Sequence, residues 1–270
     1  MDTALATGDA PTRNGNYIDI DGIRSYYEVT GDGDPLILLH GGMCAAETFD
    51  AQTSALASHY RVYVPERFGH GRTPDIDGAI TYENMAQHTI AFIEALSIGP
   101  AHLAGWSDGA LVALLVALRR PKLVRKLVLI DQFVALDGAR PGYLPFITAL
   151  SADNAPPFLV EMYGALSPDG ADHFPVVFDK LHKLWIGPTG IDLSDLTHIA
   201  APTLVLVGDD GCMNAEQAAA VQQSLRDAQL AVVPGTSHGL PMEKPQVVNQ
   251  LIADFLADEQ VPKMFSLDDH

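Results

Sequence analysis

Short unbroken apolar runs recur along this 270-residue chain, and between them lie stretches whose apolar positions repeat at helical spacing. Pro35 to Leu39, Arg61 to Val64, Ala101 to Ala104, Lys126 to Ile130, Thr203 to Val207 and Gln229 to Val233 are runs of the first kind. Each is too short for a buried helix and reads as a strand covered on both faces. Ahead of them, Tyr17 to Gly22 and Ile23 to Val29 read as two strands joined by a tight turn at Asp21-Gly22. The helical periodicity falls at Ala45 to Ala57, Tyr82 to Leu96, Asp108 to Arg120, Asn214 to Arg226 and Pro245 to Leu256. Strands alternating with helices imply right-handed βαβ units and a mostly parallel sheet, so the fold class is α/β.

One stretch departs from this rhythm. Roughly seventy residues separate the run ending at Ile130 from the one starting at Thr203, and a bare loop of that length is uncommon inside a compact domain. The stretch is rich in proline between Pro141 and Pro188, and His173 to Ile186 is its clearest helical pattern. We therefore expect residues 17–133 and 200–257 to form the core, residues 134–199 a small helical cap, and residues 1–16 and 258–270 flexible ends.

Composition narrows the function. With 16 Lys and Arg against 34 Asp and Glu, the formal charge is −18. Such a surface repels phosphate, which argues against nucleic acid and anionic lipid as partners and leaves a small-molecule substrate. The longest apolar run, Ala110 to Leu118, is too short to span a bilayer. The first residues lack the basic and apolar regions of a signal peptide. Two cysteines, Cys44 and Cys212, make no disulfide framework, and a reducing cytoplasm is the expected location. No HExxH, Walker lysine loop or strand-linked GxGxxG is present, so neither a metal nor another cofactor is expected.

The chemistry concentrates beyond strand ends. Gly105-Trp106-Ser107-Asp108-Gly109 follows a predicted strand and opens a predicted helix. A turn that sharp needs small flanking residues and leaves the serine exposed as a nucleophile. The N–H of Asp108, at the start of the helix, is then an oxyanion donor. His40-Gly41-Gly42 follows another buried strand, and the N–H of Gly42 (or of Met43) is the second donor. A serine nucleophile needs a base that titrates near neutrality. Of the histidines, His40, His70 and His238 lie beyond strand ends, and the first two sit in glycine turns that their rings can stabilise. His238, in Gly235-Thr236-Ser237-His238-Gly239, is the expected base. Met43, Trp106, Phe133, Trp185 and Leu240 are the expected lining of an apolar substrate pocket.

Together with Pro65-Glu66-Arg67-Phe68-Gly69-His70-Gly71-Arg72 and Val207-Gly208-Asp209-Asp210, these motifs resemble, in order and spacing over residues 17–257, the α/β-hydrolase superfamily. The closest flavour is the group of small esterases, enol-lactonases, C–C bond hydrolases and cofactor-free haloperoxidases. The resemblance implies an eight-stranded, mostly parallel sheet flanked by helices, a helical cap inserted after the sixth strand, and a Ser–acid–His triad in that chain order. It implies a serine hydrolase acting on a small, moderately apolar ester or lactone. C–C bond hydrolysis, perhydrolysis, a lyase step, or ligand binding without turnover are the alternatives. The acid departs from the family pattern. Counted from Gly208, the family position is Gly211, a residue without a side chain. Asp210 serves if the loop shifts by one residue; Asp131, after the sixth strand, is the alternative acid; a site with no acid is the third option. Because Asp108 contributes a backbone N–H, its side chain is expected to point away.

Overall fold

The computed structural model describes residues 15–257 and Met264. Most of the two ends expected to be flexible therefore lies outside the described residues. Gly15 and Asn16, counted among them, instead pair with Glu28 and Tyr27 and extend the first strand.

Eight strands form one sheet: β1 (Gly15–Ile20), β2 (Ile23–Thr30), β3 (Asp34–Leu39), β4 (Tyr60–Pro65), β5 (Ala101–Trp106), β6 (Val124–Ile130), β7 (Thr203–Asp210) and β8 (Ala228–Ser237). Their spatial order is β1-β2-β4-β3-β5-β6-β7-β8. The pairs β1/β2 and β2/β4 are antiparallel and the rest are parallel. The parallel strands need crossover helices on both faces. Before the long insertion these are α1 (Asp50–Leu56), α2 (Tyr82–Ala95) and α3 (Asp108–Arg119). Covered on both sides, Leu36 to Leu39 lose all contact with solvent. That burial explains why these strands read as unbroken apolar runs rather than alternating ones.

Between β6 and β7 the chain folds into α4 (Tyr143–Thr148), α5 (Pro157–Leu166) and α6 (Phe174–Ile186), with short 3-10 turns among them. After β7 come α7 (Ala215–Ser224), then β8, α8 (Leu240–Glu243) and α9 (Pro245–Leu256). No helix among the described residues is long and apolar enough to cross a membrane.

The inserted helices are held to the sheet by polar contacts as well as packing. Asp75, in the loop after β4, is the main anchor. Lys180 Nζ of α6 donates to its Oδ2 at 2.6 Å and to the Ile76 carbonyl at 2.6 Å. His173 Nε2 lies 3.0 Å from the same carboxylate oxygen, and Asp75 N–H donates to Asp169 Oδ2 at 2.7 Å. Burial alone would raise the Asp75 carboxyl, but the hydrogen bonds from Lys180 and His173 outweigh it and hold the group below its ordinary value. A depressed carboxylate stabilises the fold above its unfolded pKa, and that stability is lost as pH falls through the folded value.

Asp75→Asn is expected to cost about 1–2 kcal/mol, a loss of a few degrees in melting temperature, because it leaves the Lys180 ammonium without its counter-charge. Hydrogen exchange should locate the loss in α6. Wild type should show the same local opening below the ordinary carboxylate range, and an unchanged α6 in both cases would refute the anchor.

Candidate active site

Ser107 stands between β5 and α3 with φ +56° and ψ −126°, a conformation that non-glycine residues rarely adopt. Its neighbours leave no alternative. A Cβ on Gly109 would lie 1.9 Å from the Leu39 carbonyl oxygen, and one on Gly105 would lie 2.1 Å from that of Gly109. Helix and sheet approach so closely that the chain must reverse within one residue. The Ser107 N–H donates to the Ile130 carbonyl at 3.0 Å and ties the turn to β6. Strain of this kind marks sites where position matters more than comfort.

His238 follows β8 and reaches back to the serine: its Nε2 lies 3.0 Å from Ser107 Oγ. On its other side Nδ1 lies 2.8 Å from Asp131 Oδ2. A carboxylate accepts, so Nδ1 carries the proton and Nε2 is free to take one from the hydroxyl. Trp106 Nε1 donates to the His238 carbonyl at 2.8 Å, and the two rings are 5.3 Å apart, which fixes the imidazole plane.

The carboxylate behind the histidine is Asp131, not Asp210. Asp131 follows β6 with φ +45°, and its side chain is fully buried. The Cys212 N–H donates to its Oδ2 at 2.9 Å, and Cys212 Sγ donates to its carbonyl at 3.1 Å. Among the described residues, no hydrogen bond or ion pair joins Asp210 to His238. The Asp210 side chain is 77% exposed and pairs with Arg140 at 3.2 Å, on the outer side of the β7 end. Gly211 explains the exchange. A Cβ there would lie 2.0 Å from Asp131 Oδ1, so the missing side chain leaves the room that Asp131 fills.

The side chain of Asp108 does not point away, contrary to expectation. It is buried and forms part of the cavity wall beside Ser107. Tyr82 Oη of α2 donates to Oδ1 at 2.9 Å, and Trp185 Nε1 of α6 donates to Oδ2 at 2.8 Å. Burial raises its pKa, opposed by these hydrogen bonds and by the field of Arg67. Gly42 faces the same carboxylate: a Cβ there would meet Asp108 Oδ2 at 2.4 Å and the Trp185 ring at 2.6 Å. No hydrogen bond is formed by the N–H of Gly42 or of Met43 among the described residues. As the first residue of α3, Asp108 has no intrahelical acceptor for its N–H.

These groups border a cavity of about 250 Å³. Trp106, Phe133 and Trp185 line it as expected. Met43 and Leu240 do not; both are packed into the core, Met43 beneath the loop that bears it and Leu240 at the start of α8. Sequence reasoning missed Tyr82, Gln132, Tyr143 and the α4–α5 residues Phe146, Ile147 and Phe158. For Tyr143, Phe146, Ile147 and Phe158 the one sequence signal was the apolar periodicity of the insertion; Tyr82, which opens α2, and Gln132, just after β6, lie outside it. Phe146 and Phe158, 56% and 58% exposed, form an apolar rim. A larger hollow of about 730 Å³ lies elsewhere, between Tyr60 and α9, and no serine or cysteine lines it. Asp131, Cys212 and His238 have donor atoms within 4.8 Å of one another, the spacing of a metal site. Their hydrogen bonds to each other account for that closeness, and burial pushes the Cys212 thiol well up, away from the thiolate a metal prefers.

The model of the alpha/beta hydrolase family matches residues 36–251, and the chain belongs to that family. It is 28% identical to a 2-hydroxy-6-oxo-2,4-heptadienoate hydrolase of Pseudomonas putida, over 91% of this chain and 97% of that one. It is 28% identical to a pimeloyl-[acyl-carrier protein] methyl ester esterase of Yersinia enterocolitica, over 85% and 96%. In fold it is similar to the enol-lactonase of Burkholderia xenovorans, with a TM-score of 0.69, 19% identity, and coverage of 89% and 99%.

Gly211→Ala is expected to push Asp131 off His238. Overpacking of this kind costs about 1–3 kcal/mol, or roughly 2–12 °C in melting temperature. The low-field proton signal of the His238–Asp131 hydrogen bond should vanish from the NMR spectrum. A variant with wild-type melting and an intact signal would show that Gly211 does not make the room for Asp131.

Proposed function

We propose that this α/β hydrolase is a serine hydrolase of small, moderately apolar esters or lactones, with Ser107, His238 and Asp131 as its triad. The observation that carries the reading is the unbroken hydrogen-bond chain from Ser107 Oγ through His238 to Asp131 Oδ2. A serine hydroxyl is a weak nucleophile until a base takes its proton. His238 Nε2 is in reach of that proton, and the buried Asp131 carboxylate stabilises the imidazolium that results.

Ser107 Oγ attacks the substrate carbonyl as His238 takes the proton. The N–H groups of Gly42 and Asp108 receive the negative oxygen. Collapse expels the alcohol, which takes the proton from His238, and leaves an acyl group on Ser107. In a lactone the alcohol stays tethered to the acyl chain. Water, deprotonated by His238, then attacks the acyl group and frees the serine. The mostly apolar cavity and its phenylalanine rim suit an apolar acyl or ring substituent. The case for a binding protein with a degraded site rested on Gly211, and it loses its support with Asp131 against His238.

A second reading keeps the fold and changes the bond cleaved. The relative in Pseudomonas putida is a hydrolase of a dienoate that carries a ketone, and it aligns with nearly the whole chain. A panel of aryl esters, lactones and vinylogous 1,5-diketones separates the two: cleavage of the diketone alone favours C–C hydrolysis.

Mass spectrometry after a fluorophosphonate should find one adduct, on Ser107, and Ser107→Ala should abolish both labelling and ester cleavage. Asp131→Asn should lower kcat by on the order of 10⁴, as loss of the acid does in other triads. Asp210→Asn should stay within about twofold of wild type, the expectation for an exposed pair. Full activity in Asp131→Asn, or a large loss in Asp210→Asn, would return the acid to Asp210.

A further inference from the structure

Arg67, directly after the first residue beyond β4, is 1% exposed, and no carboxylate lies within ion-pair distance of its guanidinium among the described residues. Its neighbour Glu66 is occupied elsewhere, by Arg72 and the Ala46 N–H. Two guanidinium nitrogens, Nε and Nη1, have no hydrogen-bond partner. Burying a cation this way is expensive, and a buried unsatisfied donor calls for an explanation. Even at about 10, where burial brings its pKa, the guanidinium is charged at neutral pH.

The third nitrogen shows what the side chain does. Nη2 donates to the His40 carbonyl at 2.6 Å and to the Gly41 carbonyl at 3.4 Å. The His40 ring works on the same group: its Nδ1 lies 2.7 Å from the Gly41 oxygen. Nδ1 also lies 3.2 Å from Arg67 Nη2, but its contact with the Gly41 oxygen is shorter and a carbonyl only accepts, so Nδ1 holds the proton, and Nε2 is left to accept the Arg67 N–H at 3.4 Å. Burial and the nearby Arg67 keep His40 neutral, and the same causes lower His70, whose ring is 5.0 Å away, to about 3. Arg67 is thus the one cation beneath the His40-Gly41-Gly42 loop among the described residues.

The consequence follows from peptide geometry. In a planar trans peptide the C=O and the next N–H point in opposite directions. With the Gly41 oxygen drawn inward by Arg67, His40 and the Cys44 N–H, the Gly42 N–H must point outward, on the side where Gly42 borders the cavity. We propose that Arg67 is a positioning residue of the oxyanion site, holding the carbonyls of His40 and Gly41 inward so that the Gly42 N–H faces the oxygen that gains charge. The proposal rests on the serine-hydrolase reading. It accounts for the unpaired charge: a guanidinium neutralised by a carboxylate would add no positive potential behind that N–H.

The test separates ground-state from transition-state effects. Wild type, Arg67→Gln, Arg67→Lys and His40→Gln are compared for kcat and KM on an aryl ester, for the rate of Ser107 phosphonylation, and for inhibition by an aryl trifluoromethyl ketone, whose adduct carries an oxyanion. Removing an oxyanion donor outright costs about 10²–10³ in kcat, so a misdirected donor in Arg67→Gln should cost roughly 30- to 100-fold. Ketone affinity and phosphonylation should fall in parallel, with KM within about threefold of wild type. Arg67→Lys, which keeps the charge but not the fork, should recover part of the loss, and His40→Gln should reproduce it in a milder form. If Arg67→Gln does not fold, the Lys and His40 variants carry the comparison. Unchanged ketone affinity in a folded variant overturns the role of Arg67, and so does a loss confined to KM. A wild type that is not phosphonylated overturns the serine reading itself, and this proposal with it.

Discussion

At the junction of β5 and α3 three backbones touch: the helix start rests on the end of β3 through Gly109, and the strand end rests on the helix through Gly105. Neither contact survives a Cβ, and between the end of β5 and the start of α3 only one residue is left to turn the chain. That residue is Ser107, held at a positive φ. The turn has three consequences. The hydroxyl projects from the end of the sheet. The N–H of Asp108 starts a helix with no acceptor of its own. Its side chain points into the same hollow as the serine. The proposed nucleophile, the proposed oxyanion donor and part of the cavity wall all depend on a close approach that the two glycines permit.

The strands, the crossovers and this turn were legible in the sequence because burial on both faces and glycine contacts leave local traces. The carboxylate behind His238 was less legible. Its place along the chain was readable only as a spacing, and the spacing pointed to the end of β7. What decides the matter is the direction of side chains in space. Asp131, at φ +45°, aims its carboxylate across the sheet end, and the loop at Gly211 passes too close to carry a side chain of its own. The signal was present as a pair, an aspartate after β6 and a glycine where an acid is usual. Neither member decides the question without the contact between them.

The cavity wall was the least legible part. Its α4 and α5 residues sit in helices packed on α6, which is itself held by distant contacts, Lys180 on Asp75 and Trp185 on Asp108. Periodicity announces a helix and its apolar face, but not which partner that face meets. Met43 and Leu240, apolar and next to catalytic motifs, illustrate the error in reverse: sequence proximity to a site places a residue in the core beneath it as readily as in the pocket above it.

Electrostatics ties these parts together. Asp108 sets a carboxylate beside the place where a negative oxygen would form, an arrangement that taken alone opposes acyl transfer. Three features soften it. Burial raises the carboxyl, which shifts it toward its neutral form; Tyr82 and Trp185 each donate to one of its oxygens; and the unpaired guanidinium of Arg67 lies close enough to lower the cost of the charge. The same carboxyl group anchors α6 through Trp185, where the insertion meets the His40-Gly41-Gly42 loop. A buried cation with no direct partner and a buried anion at the reacting centre would each be costly in isolation. Both adjoin the His40-Gly41-Gly42 turn, and they lower one another's cost without pairing; on the proposed reading, the N–H groups of the turn still direct a field at the substrate oxygen.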